Sequence, residues 1–430
     1  MYKYREANTW LDNIDLEIMP YVDNVEWVNR YPTLSALIMS EVKKQELQDI
    51  SSGLVAALSR LVEMLRSKSA KMPFDLFNMT DKLTPFIEED NSQCVSYITR
   101  LDFVKDLQGV YKLVEVNADT PCAMPETFYA NKLAEAYFAK MHNLDLVARS
   151  SGEELAEPFL ALLRQEKYCN REQVRIAFAA DAAYDEDWAN AKFVFNKVRE
   201  VLRKQNMPMV VSCRLVSLDK LIVQDNGVYI PNDVFKKEDK VDILYRLHPL
   251  ELLMDDESDD GFPVGLKLME LANWGEVDFV NPIKSIVLQN KALLALAWYL
   301  YQHHLFWNAE EEILLGKHLA PTYLDSDALR GQRYIKKPIF GREGAGIAIV
   351  EPNGLASYEA EDDCEDCDLI YQQFIASADV EQEADNGTVN GKYTYSCFVI
   401  NGKASETFVR LEPGEITGID AYFVPVLDEK

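Results

Sequence analysis

Apolar residues near the start of the chain recur at helical spacing. Between residues 54 and 65 they return every three or four positions, at Leu54, Val55, Leu58, Leu61, Val62 and Leu65. This spacing gathers them on one face of an α-helix that packs against a core. The pattern therefore predicts a helical N-terminal region over residues 1–90.

After Cys94 the pattern changes to that of β-strands. Apolar and polar residues alternate from Ile98 to Phe103, and a turn around Gly109 leads to a second strand-like run that ends at Asn117. Two such runs joined by a short turn predict an antiparallel hairpin. We assign the hairpin to a unit over residues 91–170.

The second half of the chain predicts two further units. Residues 171–280 contain short buried strands that alternate with a helix, which is typical of an α/β subdomain. Residues 281–430 begin with a helix at Lys291 and continue through several strands, including a hairpin whose turn is Asn401-Gly402. The predicted fold class is thus mixed, with α+β and α/β parts.

Composition excludes several classes of function. Hydrophobic residues make up 48% of the chain and the formal net charge is −27, so a soluble globular protein is expected. A strongly negative charge disfavours binding to nucleic acid or to an anionic membrane surface. We find no secretory signal, no apolar run long enough to span a membrane, and seven scattered cysteines. These features predict a cytoplasmic protein with reduced thiols.

The hairpin carries the first candidate chemistry. Arg100 and Asp102 share one strand face, as do Glu115 and Asn117. A four-residue turn would point both pairs to the same side of the sheet, whereas a five-residue turn would point them to opposite sides. The register stays open at this point. Two carboxylates and an amide oxygen on one face would suit Mg²⁺, and a solvated face is the alternative.

A glycine-rich segment from Lys337 to Gly346 is the second candidate. Glycines let main-chain N–H groups approach phosphate oxygens, and a lysine supplies a point charge. The segment matches neither the P-loop nor the Rossmann pattern, and its flanking strands favour a hairpin lid. The five histidines lack metal-ligand spacing, and no GxSxG motif is present, so hydrolase triads have no support. Cys364 and Cys367 lie in an acidic segment without a second cysteine pair.

Four segments in chain order resemble the synthetase domain of glutathionylspermidine synthases. They are Arg100-Leu-Asp102-Phe, Glu115-Val-Asn117-Ala-Asp-Thr120, Lys337-Pro-Ile-Phe-Gly-Arg-Glu-Gly344 and Tyr371-Gln-Gln373. The resemblance implies an ATP-grasp fold with a helical N-terminal region and an inserted α/β subdomain. It also implies a ligase that phosphorylates a carboxylate with ATP, passes through an acyl phosphate and joins the acyl group to an amine.

The resemblance further implies roles for individual residues. Mg²⁺ would be held by Asp102, Glu115 and Asn117, and the transfer steps would involve Arg100, Asp102 and Arg342. Contacts with ATP would be made by Lys291, Lys337, Glu343, Gly344, Gln372, Gln373, Phe374, Ile375 and Arg410. Contacts with the acid and the amine would be made by Thr120, Cys122, Asp187, Arg246 and Glu251.

The chain also departs from that family. It has no room for the amidase domain of the bifunctional members. Thr120 and Cys122 stand where the glutathione-using enzymes have serines, and Leu247 and Leu252 replace threonines. We therefore expect an acid substrate other than glutathione. A non-catalytic ATP-binding partner protein and a small-molecule kinase are the alternative functions.

Overall fold

The computed structural model describes residues 9–23, 30–67, 77, 79, 82–232, 237–341, 344–360, 368–416, 418 and 421–430. The α-helices over this part of the chain are α1 Glu41–Arg66, α2 Thr84–Glu89, α3 Asn131–His142, α4 Glu157–Leu163, α5 Glu166–Cys169, α6 Asp185–Lys204, α7 Leu250–Leu253, α8 Val264–Asn273, α9 Ser285–Gln289, α10 Lys291–Gln302 and α11 Ala309–His318. Short 3-10 helices span Trp10–Asn13, Pro20–Asp23, Glu153–Ala156, Leu218–Lys220 and Asp327–Leu329, and a π-helix spans Pro125–Ala130.

Twenty strands form five sheets over the same residues. The strands are β1 Leu37–Ser40, β2 Ile98–Lys105, β3 Tyr111–Asn117, β4 Gln173–Ala180, β5 Val210–Ser217, β6 Ile222–Gln224, β7 Gly227–Asn232, β8 Lys237–Val241, β9 Ile243–Leu247, β10 Asp278–Val280, β11 Thr322–Tyr323, β12 Tyr334–Pro338, β13 Ala348–Val350, β14 Ala356–Glu359, β15 Leu369–Gln373, β16 Val380–Ala384, β17 Gly387–Ile400, β18 Lys403–Glu412, β19 Tyr422–Val424 and β20 Val426–Glu429.

A six-stranded antiparallel sheet is the centre of the molecule. Its order is β19-β18-β17-β2-β3, and β16 also pairs with β17. The turn between β17 and β18 is Asn401-Gly402, and both residues have positive φ, as the tight hairpin predicted from these two residues requires. Helix α1 lies on this sheet, where Gln48 donates a hydrogen bond to the main-chain oxygen of Ser405 over 2.6 Å.

The apolar residues that predicted a helix form the buried side of α1. Leu54, Leu58 and Leu61 are all fully buried in the largest hydrophobic core. The helix begins at Ser40, whose side chain accepts a hydrogen bond from the main chain of Lys43 and caps the first turn. The N-terminal region also contains strand β1, which pairs in parallel with β20 at the other end of the sequence.

Residues 171–280, the α/β part, and residues 281–430 contain strands of separate sheets. Strands β10-β9-β4-β5 make a fully parallel sheet, which agrees with the predicted alternation of strands and helix. Strands β11-β15-β12-β13-β14 make an antiparallel sheet. The smaller sheet β6-β7-β8 completes the α/β part. The boundaries at residues 90, 170 and 280 stay predictions.

Candidate active site

The hairpin of β2 and β3 points its polar residues to one side through a β-bulge. Lys105 pairs with Tyr111, so the connection has five residues, and an unbroken ladder would send the two polar pairs to opposite faces. The register shifts after Phe103 pairs with Leu113, which leaves Val114 as an extra residue. The shift places Asp102 opposite Glu115 and Arg100 opposite Asn117. Both polar pairs therefore point to the same face of the sheet, as in the first alternative. The bulge, rather than a four-residue turn, produces this arrangement.

Asp102 is the most heavily bonded side chain of this site. Arg100 contacts both of its carboxylate oxygens, from Nε and from the terminal guanidinium, over 2.9 Å each. Arg410 and Asn117 each donate to Oδ2 over 3.2 Å. The hydroxyl of Ser396 donates to Oδ1 over 2.7 Å. The carboxylate is 1% exposed, so these donors replace the water that burial removed.

Glu115 and two lysines form the adjacent part of the site. Lys291 lies 2.9 Å from a carboxylate oxygen of Glu115 and also donates to the main-chain oxygen of Gly341 over 2.6 Å. Lys337 donates to the main-chain oxygen of Val114 over 2.9 Å and to the side chain of Gln372 over 3.0 Å. Both lysines are buried, and both come from elements outside the hairpin.

The ionisation of these groups follows from their neighbours. Burial acts to raise the pKa of Asp102, but Arg100 and Arg410 outweigh it and the pKa lies below its ordinary value. Burial also acts to raise the pKa of Glu115, and Lys291 and Lys337 reverse the effect. Burial lowers the pKa of Lys337 to about 8, against the attraction of Glu115. Both carboxylates are therefore anionic at neutral pH.

These groups line one cavity of about 370 Å³ between the six-stranded and the five-stranded sheets. Predicted residues that line it are Arg100, Asp102, Glu115, Asn117, Thr120, Cys122, Asp187, Lys291, Lys337, Gly344, Gln372, Gln373, Phe374, Ile375 and Arg410. Residues from separate parts of the sequence thus meet in one cleft. Strands β12 and β13 pair as an antiparallel hairpin beside it, and Gly344 belongs to their connection. The antiparallel pairing confirms the predicted hairpin, and its role as a lid stays a prediction.

Other predicted residues lie elsewhere. Arg246 is 1% exposed and forms a buried ion pair with Asp119, and neither Arg246 nor Glu251 is among the residues that line the cleft. Arg342 and Glu343 lie outside the described residues, as do Cys364 and Cys367. The roles of these residues stay predictions.

One part of the cleft is acidic. Glu186 and Asp187, from the first turn of α6, line it next to Cys122. The Cys122 sulfur lies 3.7 Å from a carboxylate oxygen of Asp187. Burial, followed by Asp187 and Glu186, raises the pKa of Cys122 well above its ordinary value. The thiol is therefore protonated and is a poor nucleophile.

The donor set fits a magnesium ion that is shared with nucleotide phosphates. Asp102 and Glu115 face each other across the hairpin, with the amide of Asn117 beside them. Mg²⁺ usually takes one or two protein carboxylates and completes its shell with water and phosphate oxygens. Over the described residues, no group of three or more His, Cys, Asp or Glu side chains is placed to hold a metal without such help.

Sequence reasoning missed Ser396 and the carbonyl of Val114. Ser396 lies in the middle of β17, in a segment of ordinary strand residues with no recognisable motif. Its partnership with Asp102 arises from strand register, since the two residues pair directly across β17 and β2. The Val114 carbonyl, which accepts a hydrogen bond from Lys337, belongs to the bulge residue. Neither contact joins residues that are close in sequence.

Comparison with known proteins identifies the class and then the family. A glutathione synthetase-like effector from Globodera pallida, solved in its apo form, has the same fold with a TM-score of 0.59 at 11% identity, over 92% of this chain and 90% of that one. The two proteins thus share a mixed fold with α+β and α/β parts. The model for the glutathionylspermidine synthase preATP-grasp family matches residues 14–427, and the chain belongs to that family.

Two relatives are named as ligases. A Haemophilus influenzae protein with the provisional designation acid–amine ligase is 23% identical over 375 residues, which cover 85% of this chain and 84% of the relative. Trypanothione synthetase from Crithidia fasciculata is 24% identical over 160 residues, which cover 37% of this chain and 21% of the relative. The chain is therefore a member of a ligase family that uses ATP. Over the part of the chain that the structure describes, no helix is long and apolar enough to cross a membrane.

Proposed function

We propose that this protein is an ATP-dependent carboxylate–amine ligase that forms an amide bond through an acyl phosphate. The observation that carries the proposal is the pairing of Asp102 with Glu115 inside a cleft that also holds Arg100, Arg410, Lys291 and Lys337. Two anionic groups for a metal and four cations for phosphate charge are the groups that phosphoryl transfer requires. The family resemblance supports the same chemistry.

The first step joins the acid to the terminal phosphate of ATP. A carboxylate oxygen of the acid attacks the γ-phosphorus, the bond to the bridging oxygen breaks, and ADP leaves with the electron pair. Lys291 and Lys337, at the nucleotide side, would hold phosphate oxygens. Arg100 would neutralise charge on the transferred group and on the acid. Mg²⁺ held by Asp102, Glu115 and Asn117 would supply further positive charge at the phosphates.

The second step joins the acyl group to the amine. The neutral amine nitrogen attacks the acyl carbon, the bond from that carbon to the phosphate oxygen breaks, and phosphate leaves with the electron pair and takes up the proton that the nitrogen loses. The acidic side chains of Glu186 and Asp187 at the far end of the cleft suit a positively charged amine substrate. No protein nucleophile takes part, which agrees with the protonated state of Cys122. The hairpin of β12 and β13 would exclude water, which would otherwise hydrolyse the acyl phosphate.

We propose that the adenine ring binds at the side of the cleft formed by Gln372 to Ile375. Gln372 is fully buried, and its amide nitrogen donates to the hydroxyl of Thr322 over 2.9 Å, so its orientation is set within the protein. Gln373, Phe374 and Ile375 follow it along the same wall. The proposed acid is not glutathione, because Thr120 and Cys122 replace the family's serines. The predicted cytoplasmic location stays a prediction.

Hydroxylamine trapping tests the proposal. The protein is incubated with ATP, Mg²⁺ and a panel of carboxylic acids drawn from a metabolite extract, and ADP and hydroxamate are both measured. A ligase gives a hydroxamate, because hydroxylamine captures the activated acyl group. ADP with a stable phosphorylated product and no hydroxamate would indicate a small-molecule kinase. ATP binding without any ADP across the panel would indicate a non-catalytic binding protein.

A further inference from the structure

Ser396 contacts the most heavily bonded carboxylate of the site from the neighbouring strand β17. It is fully buried, does not line the cleft, and donates a hydrogen bond of 2.7 Å to Oδ1 of Asp102. Strand register places Glu115, Asp102 and Ser396 in one row across β3, β2 and β17. Ser396 therefore acts on the cleft only through Asp102.

The donors to Asp102 differ in charge. Arg100 and Arg410 are cations, whereas the hydroxyl of Ser396 and the amide of Asn117 are neutral. A divalent cation that approaches Asp102 repels both guanidiniums, and the bound phosphates attract them. A neutral hydroxyl meets no such repulsion. The hydrogen bond from Ser396 can therefore persist when the site is loaded, while the arginine contacts are exchanged.

The oxygens of Asp102 are also divided between these donors. The two neutral donors contact different oxygens, Ser396 Oδ1 and Asn117 Oδ2, while Arg100 contacts both oxygens and Arg410 contacts Oδ2. A hydrogen bond on one oxygen limits rotation of the carboxylate group about its bond to the chain. Oδ2 thus keeps its direction toward Asn117 after the arginines leave.

We propose that Ser396 is a positioning residue that orients the Asp102 carboxylate for the metal–nucleotide complex. The inference rests on the proposed function, because it assigns Asp102 to the metal. Ser396 does not line the cleft, and its contribution passes through one hydrogen bond to Asp102. Without that hydrogen bond, a buried oxygen of Asp102 has one donor fewer. A buried hydrogen bond to a charged group is a strong one.

Manganese binding provides a test that does not depend on turnover. The affinity of Mn²⁺ is measured by electron paramagnetic resonance in the presence of a non-hydrolysable ATP analogue. We expect Ser396→Ala to weaken Mn²⁺ binding about tenfold or more, on the strength of a charged buried hydrogen bond. Ser396→Cys keeps a weak donor of similar size and should give an intermediate affinity.

Ser51→Ala is the matched control. Ser51 is also fully buried, and its hydroxyl donates to the main-chain oxygen of Leu47 over 2.7 Å within α1, away from the cleft. Both alanine variants should lower Tm, and only Ser396→Ala should change Mn²⁺ affinity. Equal Mn²⁺ affinities for wild type and Ser396→Ala would overturn the inference.

Asp102→Ala separates this inference from the proposed function. Weak Mn²⁺ binding by Asp102→Ala, together with normal binding by Ser396→Ala, would overturn only the role of Ser396. Wild-type Mn²⁺ binding by Asp102→Ala would overturn the metal assignment itself. The Tm of each variant shows whether it is folded, so that weak binding by a misfolded protein is not mistaken for a change at the metal site.

Discussion

Lys337 donates a hydrogen bond of 2.9 Å to the main-chain oxygen of Val114, the residue that forms the bulge in β3. The bulge therefore has two effects. It turns Glu115 and Asn117 to the face of Asp102, and it gives Lys337 an acceptor on the opposite sheet. Because Lys337 lies on β12 and Val114 on β3, this contact links the two sheets that enclose the cleft.

Nucleotide binding should depend on pH through Lys337. Its pKa in the empty protein is about 8, so its positive charge is lost as the pH rises through that value. We expect the Kd of ADP, measured by titration calorimetry, to increase several-fold from about pH 7 to about pH 9. Lys337→Arg should flatten the dependence, since a guanidinium stays charged. An unchanged Kd across this range in the wild type would contradict the prediction.

The free energy of unfolding should also depend on pH through Lys337, but it should increase with pH where nucleotide binding weakens. The ordinary pKa of lysine is 10.5, and the pKa of Lys337 in the folded protein is about 8. Between these values the unfolded chain binds more protons, so the free energy of unfolding rises with pH in that window. Lys337→Met should remove this contribution. Urea titrations of both proteins at several pH values measure the difference.

Lys291 should keep Glu115, one of the proposed metal ligands, occupied until nucleotide binds. It lies 2.9 Å from a carboxylate oxygen of Glu115, so its ammonium competes with any metal there. We expect Lys291→Met to strengthen Mn²⁺ binding in the absence of nucleotide and to weaken ATP binding about tenfold or more. Lys403→Met, at an exposed position of a hairpin turn, is the control and should change neither. Weaker metal binding in Lys291→Met would contradict this interpretation.

The paired contact between Arg100 and Asp102 should matter beyond charge. Arg100→Lys keeps the positive charge and loses the planar guanidinium, which makes the two-point contact with Asp102 in the empty site and would make one with the transferred phosphoryl group. We expect hydroxamate formation to fall at least about 100-fold in Arg100→Lys and in Asp102→Asn. Arg330→Lys is the matched control, because Arg330 forms an exposed ion pair of 2.7 Å with Asp327. Full turnover by both site variants would remove Arg100 and Asp102 from the mechanism.

Arg246 should contribute to stability through its buried pair with Asp119. Asp119 also accepts hydrogen bonds from the main chain of Leu250 over 2.9 Å and from Ser285 over 3.3 Å. Arg246→Ala leaves that carboxylate without its cation, and we expect a loss of about 3–5 kcal/mol in the free energy of unfolding. The double variant Arg246→Met, Asp119→Asn should recover part of the loss.

Chemical denaturation measures the effect, with an exposed pair for comparison. Lys204→Ala breaks an exposed contact with Glu200 and should change the free energy of unfolding far less than Arg246→Ala. An Arg246→Ala protein of normal stability but with a raised KM for the acid would instead favour the substrate role that the family resemblance implies.

Much of the fold could be predicted from periodicity. The apolar spacing of residues 54–65 predicted the buried side of α1, and Asn401-Gly402 predicted the β17–β18 turn. Both depend on interactions between residues that are close in sequence. The register of the β2–β3 hairpin was left open for the opposite reason. A bulge at Val114 depends on contacts with β12 and β15, which lie more than two hundred residues further along the chain.

The sequence by itself determined the kinds of group in the site and their order along the chain. The sequence shows directly the carboxylates, the arginines, the lysines and the glycine-rich segment, and the family resemblance rests on their spacing. The tertiary structure alone decided which of them meet. It placed Ser396 beside Asp102, Lys337 on the Val114 carbonyl, and Arg246 in a buried ion pair. Such contacts join distant strands, and their geometry follows from packing rather than from any local pattern.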